Sequence, residues 1–89
     1  MKITVLEDVE AEQRRQTEKW GAQRKHSPLE WLAILTEEVG EVAKEVADGR
    51  IAAFRVQEYR NELIQVAAVA VMAIESLDAK VMEGFLIRP

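Results

Sequence analysis

The sequence predicts an all-α fold: a single helical bundle completed by homo-oligomerisation. Three observations carry that reading. The tetrapeptide SPLE at Ser27 to Glu30 is a strong helix-start signal, with an N-cap serine, a first-turn proline and a glutamate placed to close a capping box. Apolar residues after it recur at helical spacing. The segment from Leu63 to Ile74 is then apolar on every side except at Gln65, more than two neighbouring helices of an 89-residue monomer can cover.

The first helix is expected to open at TVLE, with Thr4 as N-cap and Glu7 closing a second capping box, and to end before Gly21. Leu6, Val9, Gln13, Gln16 and Trp20 share one side of it. The middle members are polar, so this helix is expected to lie across an edge of the domain. GAQRKH, Gly21 to His26, forms a basic loop. The second helix runs from Ser27 to the DG pair at Asp48 and Gly49, and Leu32, Leu35, Val39, Val42 and Val46 fall within about 80° of one another at 100° per residue. That stripe is expected to face the core. A third helix is expected from about Ala53 to Leu77, with its apolar sides in an oligomer interface. The tail, Asp78 to Pro89, is left as a short helix or an arm on a neighbouring subunit.

Composition narrows the function. The net charge of −4 argues against a partner held by bulk positive charge, so neither nucleic acid nor an anionic membrane is expected. Cysteine is absent, which excludes disulfides, thiolate metal sites and cysteine nucleophiles and leaves oxygen or histidine ligands for any metal. The longest apolar run, Val66 to Ile74, is nine residues against the roughly 20 that span a bilayer. The N-terminal stretch carries Glu7, Asp8 and Glu10 and no signal-like apolar run, so the cytoplasm is the expected compartment.

Chemistry concentrates on LTEEVGEVAKEV, Leu35 to Val46. Glu37, Glu38, Glu41, Glu45 and Asp48 share one side of the second helix, opposite the apolar stripe. Two readings are open there: a solvated acidic face, or carboxylates that hold a cation. Like-charge pairs three or four residues apart sum to about 1 kcal/mol of repulsion, which a divalent cation would reverse. Gly40, among these acids, costs a helix interior about 1 kcal/mol relative to alanine and suggests close approach by a neighbouring helix or a ligand. On the third helix Glu62 and Gln65 sit three residues apart just where it becomes apolar, and Glu58 extends their line. A carboxylate drawn out of water there needs a metal, a raised pKa or a salt bridge, for which Arg55, Arg60 and an arginine of another subunit are candidates.

EEVGE at Glu37 to Glu41, followed after twenty residues by ELIQVAAVAV from Glu62, resembles the paired E-x-x-E and E-x-x-D motifs of the MazG-type all-α nucleoside triphosphate pyrophosphohydrolases. The upstream RRQTEKWGAQRKHSPLEWLAILTEEVGEV is similar to short MazG-like proteins, so the resemblance covers roughly Glu10 to Leu77. It implies a helical bundle assembled as a dimer or tetramer, with Mg2+ or Mn2+ as cofactor. Its activity would be cleavage of an NTP or dNTP between the α and β phosphates, giving a monophosphate and pyrophosphate. By motif, Glu38, Glu41 and Glu62 would ligate metal, and Glu37 would bind a second ion or orient the attacking water. Position 65 departs from the pattern: glutamine stands where the motif has aspartate, a neutral and weaker oxygen donor.

Arg15, Lys19, Trp20, Lys44 and Arg60 are candidates for phosphate and base contacts, as are Arg24 and Lys25. Trp20 fits a core anchor as well as a base platform; Trp31 reads as core, and His26 as a flank against it. The alternative to an enzyme is a degenerate MazG-like bundle that binds a nucleotide or a partner protein, or a purely structural helical oligomer.

Overall fold

In a computed structural model of the chain, residues 3–21, 25–47 and 56–82 are described. All but Gly21 and the stretch Lys25 to Ser27 are helical, in the order α1 (Ile3–Trp20), α2 (Pro28–Ala47) and α3 (Val56–Met82). Helix α3 is the axis of the molecule: α1 and α2 both pack on it and not on each other. No described helix is long and apolar enough to cross a membrane.

The local signals at α2 behave as their chemistry requires. The Ser27 amide donates to Glu30 Oε1 at 2.8 Å and the Glu30 amide donates to Ser27 Oγ at 3.2 Å, while the Trp31 amide donates to the Ser27 carbonyl at 2.9 Å. This reciprocal box occupies donors that the first turn otherwise leaves unpaired. It also holds the Glu30 carboxyl below the usual carboxylate range. Replacing Ser27 with alanine should therefore cost about 1 kcal/mol, a fall in melting temperature of about 4–8 °C for a domain of this size. A calorimetric melt unchanged to within a degree would show that the cap carries no stability.

At the end of α1, Gly21 takes φ 98° and its amide donates to the Thr17 carbonyl at 2.7 Å, a left-handed closure that glycine adopts without strain. The other end differs from expectation. Helix α1 already includes Ile3, so Thr4 stands inside it and not at the non-helical N-cap position that a capping box needs. The expected start of the third helix at Ala53 lies outside the described residues, as do Asp48 and Gly49. Its end falls at Met82 and not Leu77, so Asp78 to Met82 continue the helix.

The core is small. Among the described residues the buried apolar side chains are Val9 of α1, Trp31 of α2, and Ala68 and Val69 of α3. Trp31 is 6% exposed and meets the His26 ring edge-on at 4.9 Å between centroids. Lys80 Nζ, near the end of α3, donates to the His26 carbonyl and pins the start of α2. Along α1 the Gln13 side-chain amide reaches Glu75 on α3 at 3.2 Å, and Gln16 is buried although polar.

The expected core stripe of α2 is split: Leu35 and Val42 are half-buried, and its other members stay outside. Leu32, Val39 and Val46 are about half exposed, and the residues turned toward α3 are Trp31, Ile34, Leu35, Glu38, Val42 and Glu45. Trp31, the largest side chain of the helix, is its one buried residue, and the half-buried positions beyond it include the acids Glu38 and Glu45. On α3, Leu63 and Ile74 are likewise 42% and 58% exposed and not enclosed.

Candidate functional site

Helices α2 and α3 bring two carboxylates of the expected metal set to one seam. Glu38 of α2 and Glu62 of α3 are half-buried, and Oε2 of each is shut off from solvent with no hydrogen-bond partner. Burial pushes the Glu38 carboxyl above the usual carboxylate range, and the negative charges of Glu62, Glu37, Glu12 and Glu41 push the same way. Burial likewise raises Glu62, with Glu41, Glu45 and Glu12 adding to it. Both shifts have one physical origin. A carboxylate loses hydration as the helices pack, and the nearest charges are of its own sign.

Glu37 and Glu41 are exposed, as is Glu58, which is not drawn into the line of Glu62. Among the described residues no three acidic or histidine side chains converge closely enough to hold a metal ion. Glu41 stands one turn from Glu38, and its charge reaches Glu62. Gln65 is half-buried and lines an open groove against α1 with Asp8, Glu12, Arg15 and Arg60. Among the described residues nothing lies within 4 Å of where a Gly40 side chain would begin, so none of them makes the close approach expected there.

Of the substrate candidates, Arg15 and Arg60 reach the groove and both are engaged. Arg15 grips Glu12 with two hydrogen bonds, Nε to Oε1 at 2.8 Å and Nη2 to Oε2 at 2.6 Å. Arg60 Nη2 lies 2.7 Å from Asp8 Oδ2, so it does not neutralise Glu62; Arg55 is outside the described residues, and Arg24 is too. Trp20 is 62% exposed, with Lys19 Nζ 5.0 Å from its ring centre. It is therefore no core anchor within this chain, and it stands eight residues beyond Glu12, about 12 Å along the helix axis. Lys44 is exposed on α2.

Two further residues join the site, of which Glu12 was not singled out by its sequence position. Glu12 of α1 is held by Arg15 and also accepts from the Gln16 side-chain amide at 2.8 Å. The Arg15 hydrogen bonds outweigh burial and keep its carboxyl below the usual range. Its charge bears on both Glu38 and Glu62, and Arg15 in turn feels Glu38. Glu45, which lies outside the EEVGE motif, is half-buried on the α3 side of α2. The spacing of Glu12 and Arg15 marks them as a local pair; only the packing of α1 on α3 sets that pair beside the acids.

No family model, curated protein or solved structure matches this chain.

Proposed function

We propose that the protein is a Mg2+-dependent nucleoside triphosphate pyrophosphohydrolase of the MazG-like kind, working as a homo-oligomer. One observation carries the reading: two half-buried carboxylates, Glu38 and Glu62, each holding an oxygen away from water without a hydrogen-bond partner. Such an arrangement is unfavourable for the ionised acids unless a cation completes it, and otherwise favours their protonated form. The donors are all carboxylate oxygens, the chemistry that Mg2+ and Mn2+ prefer. Rotation of the exposed Glu41 side chain toward Glu38 and Glu62 would bring in the third ligand. When bound there, Mg2+ supplies neutralisation of the phosphate charge.

The rest of the work falls to the chain's own groups. Glu37, exposed at the rim, holds a water for in-line attack at the α phosphorus and accepts its proton. The bond from that phosphorus to the bridging oxygen breaks, and pyrophosphate leaves. Arg15 keeps Glu12 anchored while offering its remaining N–H groups to phosphate oxygens; Arg60, Lys44 and Lys19 are further phosphate contacts, and Trp20 has a free face for a base.

Self-association is supported by how little the chain buries. Four apolar side chains form the core of the described residues, whereas twelve large hydrophobic side chains are 42% to 88% exposed. Leu63, Ile74 and Leu77 of α3 belong to that exposed set, in keeping with an interface on this helix. The competing reading, a non-catalytic bundle that binds a nucleotide or partner protein, is favoured by one feature, the neutral Gln65 in place of a carboxylate.

The deciding experiment incubates the purified protein with a panel of NTPs and dNTPs and Mg2+ or Mn2+, resolving monophosphate and pyrophosphate. Turnover is expected for at least one nucleotide. No turnover across the panel, together with a melting temperature indifferent to metal, would sink the enzyme reading. Gln65→Asp tests the fourth position. If residue 65 can reach the ion from the α1 side of α3, metal affinity should rise about 10-fold or more, read by isothermal titration. Unchanged affinity would remove residue 65 from the ligand set.

A further inference from the structure

We infer that the groove between α1 and α3 is a nucleobase site built for adenine, with Gln65 as the residue that reads the base. This assignment names the substrate of the hydrolase proposed above and rests on that reading. The groove has a volume of about 400 Å³, within the roughly 300–1,000 Å³ of small-molecule sites. It adjoins the acids. Gln65 is three residues from Glu62 on α3, and Glu12, which lines the groove, carries a charge that bears on both Glu38 and Glu62. A base seated here can lay its phosphates toward the carboxylate seam.

The lining suits a neutral heterocycle better than a phosphate. Its two acids stand against its two arginines, Arg15 bonded to Glu12 at 2.6 Å and Arg60 to Asp8 at 2.7 Å, so the groove carries no net charge. Spare N–H groups on the arginines stay available to phosphate oxygens. Ala11 of α1 and Ile64 of α3 give the groove apolar contacts for the faces of a ring. Hydrogen bonding is left to two amides of α3. The Gln65 side chain is half-buried and has no hydrogen-bond partner among the described residues, so both its carbonyl and its N–H groups are open to a ligand. A glutamine amide pairs with adenine through two bonds, accepting from N6 and donating to N7. Asn61 sharpens the choice. Its carbonyl accepts from the Gln57 side-chain amide at 2.8 Å, which leaves its N–H groups for the ligand. Adenine N1 accepts such a bond, whereas guanine carries a hydrogen there. Trp20, about 12 Å further along α1 than Glu12, lines no part of the groove.

Nucleosides test the base site apart from hydrolysis, because they contain no phosphate. Titrated into the purified protein and followed by calorimetry, adenosine should bind about 5- to 150-fold more tightly than guanosine, the discrimination of one two-bond pair. Gln65→Leu should erase that difference. Gln65→Glu, which can only accept, should turn the preference toward cytidine, whose N4 amino group pairs with a carboxylate. Circular dichroism checks that both variants stay helical, and the Gln65→Glu switch decides the matter should Gln65→Leu fail to fold. No binding of adenosine, guanosine, cytidine or uridine, equal affinity for all four, or an adenosine preference that survives both substitutions would overturn the assignment. Adenosine binding lost in Trp20→Ala and retained in Gln65→Leu would overturn the groove and move the base to Trp20. Selective adenosine binding without turnover of ATP or dATP would keep the groove and sink the hydrolase, whereas turnover with no nucleoside preference would do the reverse.

Discussion

Glu62→Gln should abolish nucleotide hydrolysis and at the same time make the metal-free protein more stable. The two effects share a cause. In the folded chain Glu62 is an acid whose ionised form is opposed by burial and by Glu41, Glu45 and Glu12, and one of its oxygens has no donor. A glutamine of the same shape removes that charge and relieves the repulsion on Glu38 as well. As a neutral donor it binds a divalent cation weakly, so turnover should fall at least as far as for loss of an outer-shell partner, about 10- to 100-fold, with Glu38→Gln behaving alike. A paired measurement of melting temperature and pyrophosphate release checks it. Unaltered turnover would refute the ligand assignment; lower stability would refute the account of Glu62 as an electrostatic liability.

Metal-free stability should fall as pH rises through the weakly acidic range, and Mg2+ should cancel that fall. Glu38 and Glu62 keep their protons in the folded state at pH values where the unfolded chain has lost them, since both folded values are raised. The folded state therefore binds more protons, and stability declines from the ordinary carboxylate value of about 4.3 upward through the raised folded values. Glu12 works in the opposite sense. Its folded value is lowered, so its contribution is present above the ordinary range and is lost as pH drops below it. Together they place the stability maximum of the metal-free protein on the acidic side of neutrality. Mg2+ binds the ionised carboxylates, so its stabilisation grows with pH, reaching about 2.7 kcal/mol at 100 times its dissociation constant. Thermal melts from pH 4.5 to 8 with and without Mg2+ test this; a flat metal-free profile would remove the proposed burial of charge at Glu38 and Glu62.

The acidic site was partly legible in the residues alone. Glu62 stood out because a carboxylate beside an apolar run has few ways to stay hydrated, and Glu38 through the resemblance of its motif; both are half-buried in the fold. Glu12 was not legible as part of the site, because nothing in the local sequence says which face of α3 receives α1. Gln65 reads as a partner of Glu62 by its three-residue spacing, and the fold makes it part of the groove lined by Arg15 and Arg60. Glu45 is outside the motif, but the packing of α2 leaves it half-buried.

By itself the sequence determined what short-range chemistry controls: three helices, the Ser27 and Glu30 box that starts α2, the glycine stop at Gly21, and the crowding of acids on one side of α2. Tertiary structure alone decided which arc of α2 is spent within the chain. Helical periodicity states which residues share a face, but α2 has more uncharged surface than α3 can cover. The choice between its arcs is made by packing, which buries Trp31 and leaves Leu32, Val39 and Val46 about half exposed.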